Sequence, residues 1–537
     1  MRLQRIGIVM LTCLLVSAGL FAGGQGEDGM EGDRVLPAME GTRLVEEPVS
    51  LSVLNWLSPD QPEADNLPFF VYLEDVTGVD LEFESYKGEV SGYEQKVNLV
   101  FASGDLPDIV YDSVPRPFII NQGAIGNIIP LNDLIENYTV NIGPFLESRP
   151  EVRRDITDLD GNIYALFLLN EVEDRLYDDP YFINQEWLDR LGLEMPETTE
   201  EFREVLLAFK NEDANGNGDP NDELPFSWRE GGWQGQRIDG FFGSWGVLSN
   251  ADDNHLMVKD GEIVFAAGEE GYREGLEYLH GLYEDGLIDP EAFVQDMTQL
   301  RAKGAANQVG ALVFFYPHNV FGAEGVQAYS FMPPLAGPDG TRLAQQTAAV
   351  SGLEQGKFLI TRANPYPEVS IRLADLLMDG GEMSLNAMYG PEGEYWMWND
   401  ADQWILDDSG FPDGMGEVQI RNSLTSVTQV SIRDADLYDK AVLGERFELR
   451  QEWLEEVRPY FPAEVLPNFW FDADTSTEVA SIASELNNYV AEMRARFVLD
   501  GVSDQAWNSY LQDLRQIGAA EMVSIYQDAY DRLRRNQ

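Results

Sequence analysis

The chain has 537 residues and one cysteine, with 94 acidic side chains against 36 basic ones and a net charge of −58. A charge of that sign repels nucleic acids and anionic membrane surfaces, so neither is expected as a partner. A single hydrophobic core does not usually cover a chain of this length, and two or more lobes are predicted. The acids are spread along the whole chain, which favours a surface suited to high salt.

The first 24 residues have the pattern of an export signal. Arg2 and Arg5 precede an apolar run at residues 6–21, and small residues follow as a cleavage site. The run is shorter than the roughly 20 residues of a spanning helix, which disfavours a permanent anchor. Cys13 lies inside the run and not at its end, so lipidation is disfavoured but left open. Cleavage would give an extracytoplasmic chain without cysteine.

Strands and helices alternate in the sequence after a Gly-, Glu- and Asp-rich stretch at residues 25–48, which is predicted to be a flexible tether. The early strands are predicted at residues 49–54, 79–83 and 108–111, with helices at 69–76 and 93–102 between them. Alternation of this kind predicts an α/β fold with mostly parallel sheets. Later amphipathic helices are predicted at residues 198–209, 272–287 and 479–497, and the chain is predicted to be largely helical from about residue 420.

Seven segments match one protein family in the family's own order. They lie at residues 96–109, 129–135, 160–165, 187–193, 213–225, 282–290 and 525–531. Together they resemble the bacterial extracellular solute-binding proteins of the lipoprotein type, whose best understood relatives bind alginate and other oligosaccharides. The resemblance implies a periplasmic, monomeric component of an ABC importer that captures a carbohydrate, in the first place an oligosaccharide, and delivers it to permease subunits.

The resemblance also implies a two-lobed periplasmic-binding-protein fold of type II, with the ligand in the cleft between the lobes and a helical C-terminal region. By analogy, one crossover strand follows Ala165 and another precedes Ser351. Lobe one is then expected to comprise residues 49–167 plus 346–400. Lobe two is expected to comprise residues 168–345 plus 401–537, including the C-terminal helices.

A loop at residues 213–223 has the oxygen pattern of an EF-hand. Side-chain oxygens recur at its positions 1, 3 and 5, with Gly218 at position 6, and calcium prefers six to eight such hard ligands. Relatives close the site with an Asp-Glu pair. This loop is one residue longer than the commonest family spacing, which leaves open which of Asn221, Asp222 and Glu223 bind the ion. The expected ligands of this structural calcium ion are Asp213, Asn215, Asn217, Asp219, Asp222 and Glu223. The alternative is an acidic turn, which is how residues 158–162 and 407–410 are interpreted.

Sugar-binding proteins place aromatic platforms beside polar groups, because sugars have apolar ring faces edged by hydroxyls. Any single aromatic could equally belong to the core. The candidates near strand ends and loops are Trp56, Tyr111, Asp112, Trp228, Trp233, Tyr316, Trp396 and Trp398. The basic residues that could read an acidic sugar, or serve only as salt-bridge partners, are Arg116, Arg175, Arg237 and Lys303.

Two other functions compete with transport. A secreted glycoside hydrolase or lyase needs catalytic groups at set positions in space, which sequence cannot reveal among 94 acids. The histidines His255, His280 and His318 lack metal-ligand spacing, and neither a Gly-x-Ser-x-Gly elbow nor a phosphate loop occurs. No enzymatic activity is therefore predicted. The second alternative is a cell-surface adhesion or sensor module that binds the same sugars.

Overall fold

The computed structural model describes most of the chain beyond residue 40. The described residues are 41–59, 61–88, 90–112, 114–171, 177, 180–230, 238–314, 317–346, 352–412, 415, 417–426, 430–433, 435–442 and 452–535. The predicted export signal lies outside them. Within them, no helix is both long and apolar enough to cross a membrane.

The strands form two main sheets and two hairpins. They are β1 (Val49–Leu57), β2 (Val79–Lys87), β3 (Ile109–Tyr111), β4 (Leu166–Asn170), β5 (Tyr181–Asn184), β6 (Leu224–Ser227), β7 (Leu256–Lys259), β8 (Glu262–Phe265), β9 (Val309–Val313), β10 (Tyr329–Met332), β11 (Leu353–Ile360), β12 (Trp396–Trp398), β13 (Trp404–Leu406) and β14 (Ser431–Arg433).

The helices cover the sheets and form the C-terminal region. They are α1 (Pro68–Thr77), α2 (Val90–Ser103), α3 (Arg116–Ala124), α4 (Asn132–Tyr138), α5 (Ile142–Ser148), α6 (Pro150–Ile156), α7 (Gln185–Leu191), α8 (Thr199–Asn211), α9 (Glu270–Glu284), α10 (Met297–Ala305), α11 (His318–Gly325), α12 (Pro367–Leu377), α13 (Glu382–Tyr389), α14 (Glu417–Leu424), α15 (Ala435–Asp439), α16 (Ala473–Asp500), α17 (Asp504–Ile517) and α18 (Ala519–Arg535). The predicted capping box at Thr198 and Glu201 starts α8.

Lobe one is built on a six-stranded sheet of order β14-β4-β11-β3-β1-β2. β1 pairs in parallel with β2 and β3, while β11 runs antiparallel to both β3 and β4. Leu44 and Val45 are buried in its core, and the Leu44 amide donates to the Thr77 carbonyl at 2.9 Å. The end of the predicted tether is therefore packed structure, because two adjacent apolar side chains have a core within reach.

Lobe two is built on a four-stranded sheet of order β10-β5-β9-β6. Only β6 and β9 pair in parallel, since β5 runs antiparallel to both of its neighbours. The α/β class is confirmed, but this sheet is not mostly parallel as expected. Helices α16 to α18 pack into the same core, as expected for lobe two.

Part of the segment assigned to lobe two joins lobe one instead. Residues 431–433 pair in parallel with β4 at the edge of the six-stranded sheet. The hairpin of β12 and β13 packs with helices α13 to α15 in a small aromatic core of its own. Residues 431–433 therefore belong to the sheet of lobe one and not to lobe two, because they pair with β4. The remaining lobe boundaries stay predictions.

The crossover strands β4 and β11 lie side by side, and glycine permits their close approach. Gly352 has a φ of 71°, and a Cβ there would lie 1.7 Å from the Asn170 carbonyl oxygen. Gly356 has a φ of 72°, and a Cβ there would lie 2.0 Å from the Val114 carbonyl oxygen. Only glycine fits either position. The register of β11 shifts between Glu354 and Phe358.

Candidate ligand-binding site and metal loop

The carboxyl ends of β1 and β3 bring three predicted ligand residues to one edge of lobe one. Tyr111 is in register with Asn55, the neighbour of Trp56. The Trp56 ring is half-buried, and its indole nitrogen donates to the Gly88 carbonyl at 2.8 Å. The Tyr111 ring is buried, with ring centroids of Phe70 and Phe358 at 6.2 and 6.0 Å. Ligands of open α/β sheets bind at such strand ends.

Asp112 follows β3 and has an unusual backbone. It is fully buried with a φ of 96°, a conformation that costs a non-glycine residue about 1–3 kcal/mol and persists where its surroundings impose it. Its carboxylate lies 3.4 Å from the ammonium of buried Lys357, which also contacts Glu354 at 3.0 Å. Burial favours loss of the Lys357 proton, but these two carboxylates outweigh it and raise the pKa of Lys357.

The other described tryptophan candidates lie away from Trp56. Trp228 ends β6 fully buried, with its indole nitrogen 3.0 Å from Glu230. Trp396 is also fully buried and donates to the Gly390 carbonyl at 2.8 Å, whereas Trp398 is half-buried on the same hairpin. These rings belong to two hydrophobic clusters, and Trp56 packs against a third, so the structure does not bring them together with Trp56. Their roles stay predictions, and Trp233, Tyr316, Arg175 and Arg237 lie outside the described residues.

Lys303 and Arg116 are engaged by protein groups. The Lys303 ammonium lies 2.7 Å from Asp289 and 2.8 Å from Glu291. The Arg116 guanidinium donates to Gln355 at 3.2 Å and to the Phe469 carbonyl at 2.8 Å. For Lys303, these contacts correspond to the role of salt-bridge partner, which was the predicted alternative to binding an acidic sugar.

A buried arginine that sequence reasoning missed holds lobe two together. Arg494 in α16 is 5% exposed and contacts Glu230 at 2.8 Å and, with its other terminal nitrogen, Asp239. Glu230 is also the acceptor for Trp228. The available signal was the i, i+4 stripe of Val490, Arg494 and Val498, in which a charge stands between two buried apolar residues.

The loop at residues 213–223 folds so that side-chain oxygens accept from backbone amides. Asp213 accepts from the Gly218 amide at 3.0 Å, Asn215 from Asn217 at 2.9 Å, and Asn217 from Asp219 at 2.7 Å. Gly216 and Gly218 have φ values of 74° and 94°, which allow the tight winding.

Two carboxylate oxygens in this loop are buried without a partner: Oδ1 of Asp213 and Oε2 of Glu223. Burial raises the pKa of Glu223, although backbone amides oppose the change. Asp222 accepts from the amides of Asn215 and Asn217 at 3.1 and 2.9 Å. Asn221 is exposed, and its side-chain amide donates to Asp219 at 3.0 Å. Uncompensated buried carboxylate oxygens fit a bound cation, and Glu223 is buried in the loop whereas Asn221 is exposed.

Carboxylate, imidazole and thiol groups alone do not form a metal cluster here: across the described residues, no three or more His, Cys, Asp and Glu side chains are placed to hold an ion. EF-hand loops, however, take many ligands from amide and backbone carbonyl oxygens. The loop therefore fits calcium only through its mixed set of oxygens.

Two α/β lobes joined by crossover strands, with aromatic and acidic groups at the strand ends, define a two-lobed solute-binding protein. No model of a known protein family matches the chain. The fructooligosaccharide ABC transporter substrate-binding protein FusA of Streptococcus pneumoniae is 30% identical over 513 residues, which cover 93% of each chain. The polygalacturonan/rhamnogalacturonan-binding protein YtcQ of Bacillus subtilis is 20% identical and covers 97% of this chain and 98% of its own.

The comparison with solved structures finds the same relative as the comparison of sequences. FusA in complex with kestose matches with a TM-score of 0.83 and 29% identity, covering 91% of this chain and all of FusA. An EF-hand mutant of FusA in complex with fructo-nystose matches equally well. The chain belongs to the substrate-binding proteins of ABC transporters. This confirms the predicted binding protein and the prediction of no enzymatic activity, because its relatives are binding proteins.

Proposed function

We propose that this protein captures a neutral oligosaccharide outside the cytoplasmic membrane and delivers it to the permease of an ABC importer. The observation that carries the proposal is the similarity to FusA, which extends over 93% of both chains. The export signal predicted at residues 1–24 gives the location. The sugar would bind between the lobes, beside the carboxyl ends of β1 and β3.

The physical chemistry of the described groups favours a neutral sugar. Trp56 offers a partly exposed ring on which a sugar could stack, and Lys357, the buried cation at the same strand ends, is already paired with Asp112 and Glu354. Lys303, considered above as a reader of acidic sugars, is already paired with two carboxylates. The net charge of −58 adds long-range repulsion against an anionic ligand.

Calorimetry with kestose, nystose and a galacturonate oligomer tests the choice. Kestose or nystose should bind, and the galacturonate oligomer should not. Trp56→Ala should weaken binding by about 1–3 kcal/mol if the ring stacks on the sugar. Trp398→Ala is the matched comparison: a loss there instead would move the site to the β12–β13 hairpin. Tight binding of the acidic oligomer alone would overturn the neutral assignment.

The loop at residues 213–223 would hold a structural calcium ion. Its ligands would be side-chain oxygens of Asp213, Asn215, Asn217, Asp222 and Glu223 and the backbone carbonyl of Asp219. The two unpartnered carboxylate oxygens support this assignment, as does the existence of an EF-hand mutant of FusA. The ion would neutralise buried charge and fix the connection from α8 to β6, without a part in any reaction.

A further inference from the structure

A cavity of about 300 Å³ lies where lobe one meets the C-terminal helices. Its walls come from α3, from the loop at residues 252–254 before β7, from residues 466–471, from α16 and from Tyr526 of α18. Trp56, Tyr111 and Asp112 do not line it. We call it the interlobe cavity. Its volume is at the lower end of the range of small-molecule sites, about 300–1,000 Å³.

Arg116 presents a positive charge to the interlobe cavity. Two of its nitrogens are used, by Gln355 and by the Phe469 carbonyl, and its guanidinium lies 4.8 Å from the Trp470 ring centroid. The third nitrogen, Nη2, has no hydrogen bond among the described residues. Asp155 lies near, but its carboxylate is bonded to Arg154 at 3.3 Å.

Asp253 presents a negative charge to the same cavity. Its Oδ2 accepts from Asn250 at 2.9 Å, while its Oδ1 has no hydrogen bond among the described residues. The Ser476 hydroxyl also lines the cavity, is only 2% exposed and has no partner. A buried hydroxyl without a partner is rare in native proteins and asks for an explanation.

The two charges do not neutralise each other. Within the described part of the chain, no ion pair joins Arg116 to Asp253, yet both are near enough to Tyr526 to shift its pKa, in opposite directions. Burial lowers the pKa of Arg116 to about 10 and raises that of Asp253 to about 6. Both side chains line the same small void, and the acid that acts on the pKa of Arg116 is Asp155, not Asp253.

We propose that the interlobe cavity binds a small zwitterion, an α-amino acid with an apolar side chain. Its carboxylate would pair with Arg116 and its ammonium with Asp253, and the Ser476 hydroxyl would complete the hydrogen bonds. The apolar side chain would lie against Phe469, Val479 and Ala483. The site is distinct from the proposed sugar site. Because it contacts both lobes, its occupancy would bias their relative position.

Calorimetry with L-leucine on the full protein tests this proposal, with two half-ligands as controls. 3-Methylbutylamine keeps the ammonium and the apolar chain but lacks the carboxylate, whereas 3-methylbutanoate keeps the carboxylate and lacks the ammonium. Leucine should bind at least tenfold more tightly than either. If a half-ligand binds as tightly as leucine, or if none of the three binds, the proposal is wrong.

Two variants locate the site. Asp253→Asn keeps the shape and removes the charge, and Ala480→Phe fills the void; each should reduce leucine affinity at least tenfold and leave kestose binding unchanged. Asp260→Asn, at an exposed position of the same region, is the matched control and should bind leucine normally. Unchanged leucine binding in Asp253→Asn, or competition between leucine and kestose for one site, would overturn the proposal. Failure of kestose binding alone would count only against the proposed transport function.

Discussion

The two lobes satisfy their buried carboxylates in different ways. In lobe one, Asp375 is fully buried, pairs with Arg372 at 2.8 Å and accepts from the backbone amides of Val140, Asn141 and Ile142 at 2.9–3.0 Å. In lobe two, one carboxylate oxygen of Asp213 and one of Glu223 are buried without a partner. Lobe one therefore compensates this charge with its own groups, whereas in lobe two the proposed calcium ion would compensate it. The stability of lobe two should depend on solution conditions in a way that lobe one does not share.

The largest expected effect is at a place where lobe two compensates buried charges with its own arginine. Arg494→Met should destabilise the protein by about 3–5 kcal/mol, because Glu230 and Asp239 would remain buried without their cation. Arg496→Met is the matched control on the same helix, since Arg496 is 63% exposed and only 3.6 Å from exposed Glu492. It should cost less than about 1 kcal/mol. Equal urea midpoints for the two variants would contradict this interpretation.

Removal of calcium should have the next largest effect on stability. Chelation should lower the thermal midpoint, and calcium should restore it; at a free calcium concentration 100 times the Kd the difference is about 2.7 kcal/mol. Asp213→Ala should abolish the response. Asp160→Ala changes an exposed acid in the other acidic turn and should keep the response. An unchanged midpoint after proven removal of metal would make the loop an ordinary turn, and the contrast between the lobes would disappear.

A pH effect of intermediate size should come from Asp253 in lobe two. Its folded-state pKa is raised from 3.8 to about 6, mainly by burial and then by Asp252. The folded state thus binds the proton more tightly, so stability from this group falls as pH rises through about 4–6. Asp253→Asn should be more stable than the parent at pH 8, and the difference should vanish towards pH 4. A difference independent of pH would argue against a raised pKa.

The smallest effect should be that of salt, which acts on both lobes alike. Between about 10 mM and 1 M sodium chloride the screening length falls from roughly 30 Å to 3 Å, so self-repulsion of the −58 chain weakens and the midpoint should rise. Sodium chloride should not replace calcium after chelation. A midpoint that stays flat or falls would contradict the interpretation of the acidic surface.

The local features of the fold could be predicted from the sequence, because each depends on residues only a few positions apart. The alternating residues of β1, the capping box at Thr198 and the oxygen series from Asp213 are all short-range signals. Long-range pairing could not be predicted: residues 431–433 join β4 across more than 250 positions, and a three-residue strand has no periodicity that names its partner.

Burial of individual side chains was equally inaccessible from sequence. Trp228 and Trp396 stand near glycines like exposed platform residues, yet both are fully buried with bonded indole nitrogens. The choice among Asn221, Asp222 and Glu223 depends on which side chains turn inward, and the extra loop residue hides this in the sequence. The opposed charges of the interlobe cavity come from residues 137 positions apart along the chain, Arg116 and Asp253.

Solution scattering with and without kestose tests the transport function most directly. An importer recognises the closed form, so a transported sugar must bind that form better than the open one. Kestose should reduce the radius of gyration and also shift tryptophan emission, with Trp56→Ala reducing the emission shift. Tight binding of kestose with no change in the radius of gyration would contradict lobe closure and favour a static adhesion module.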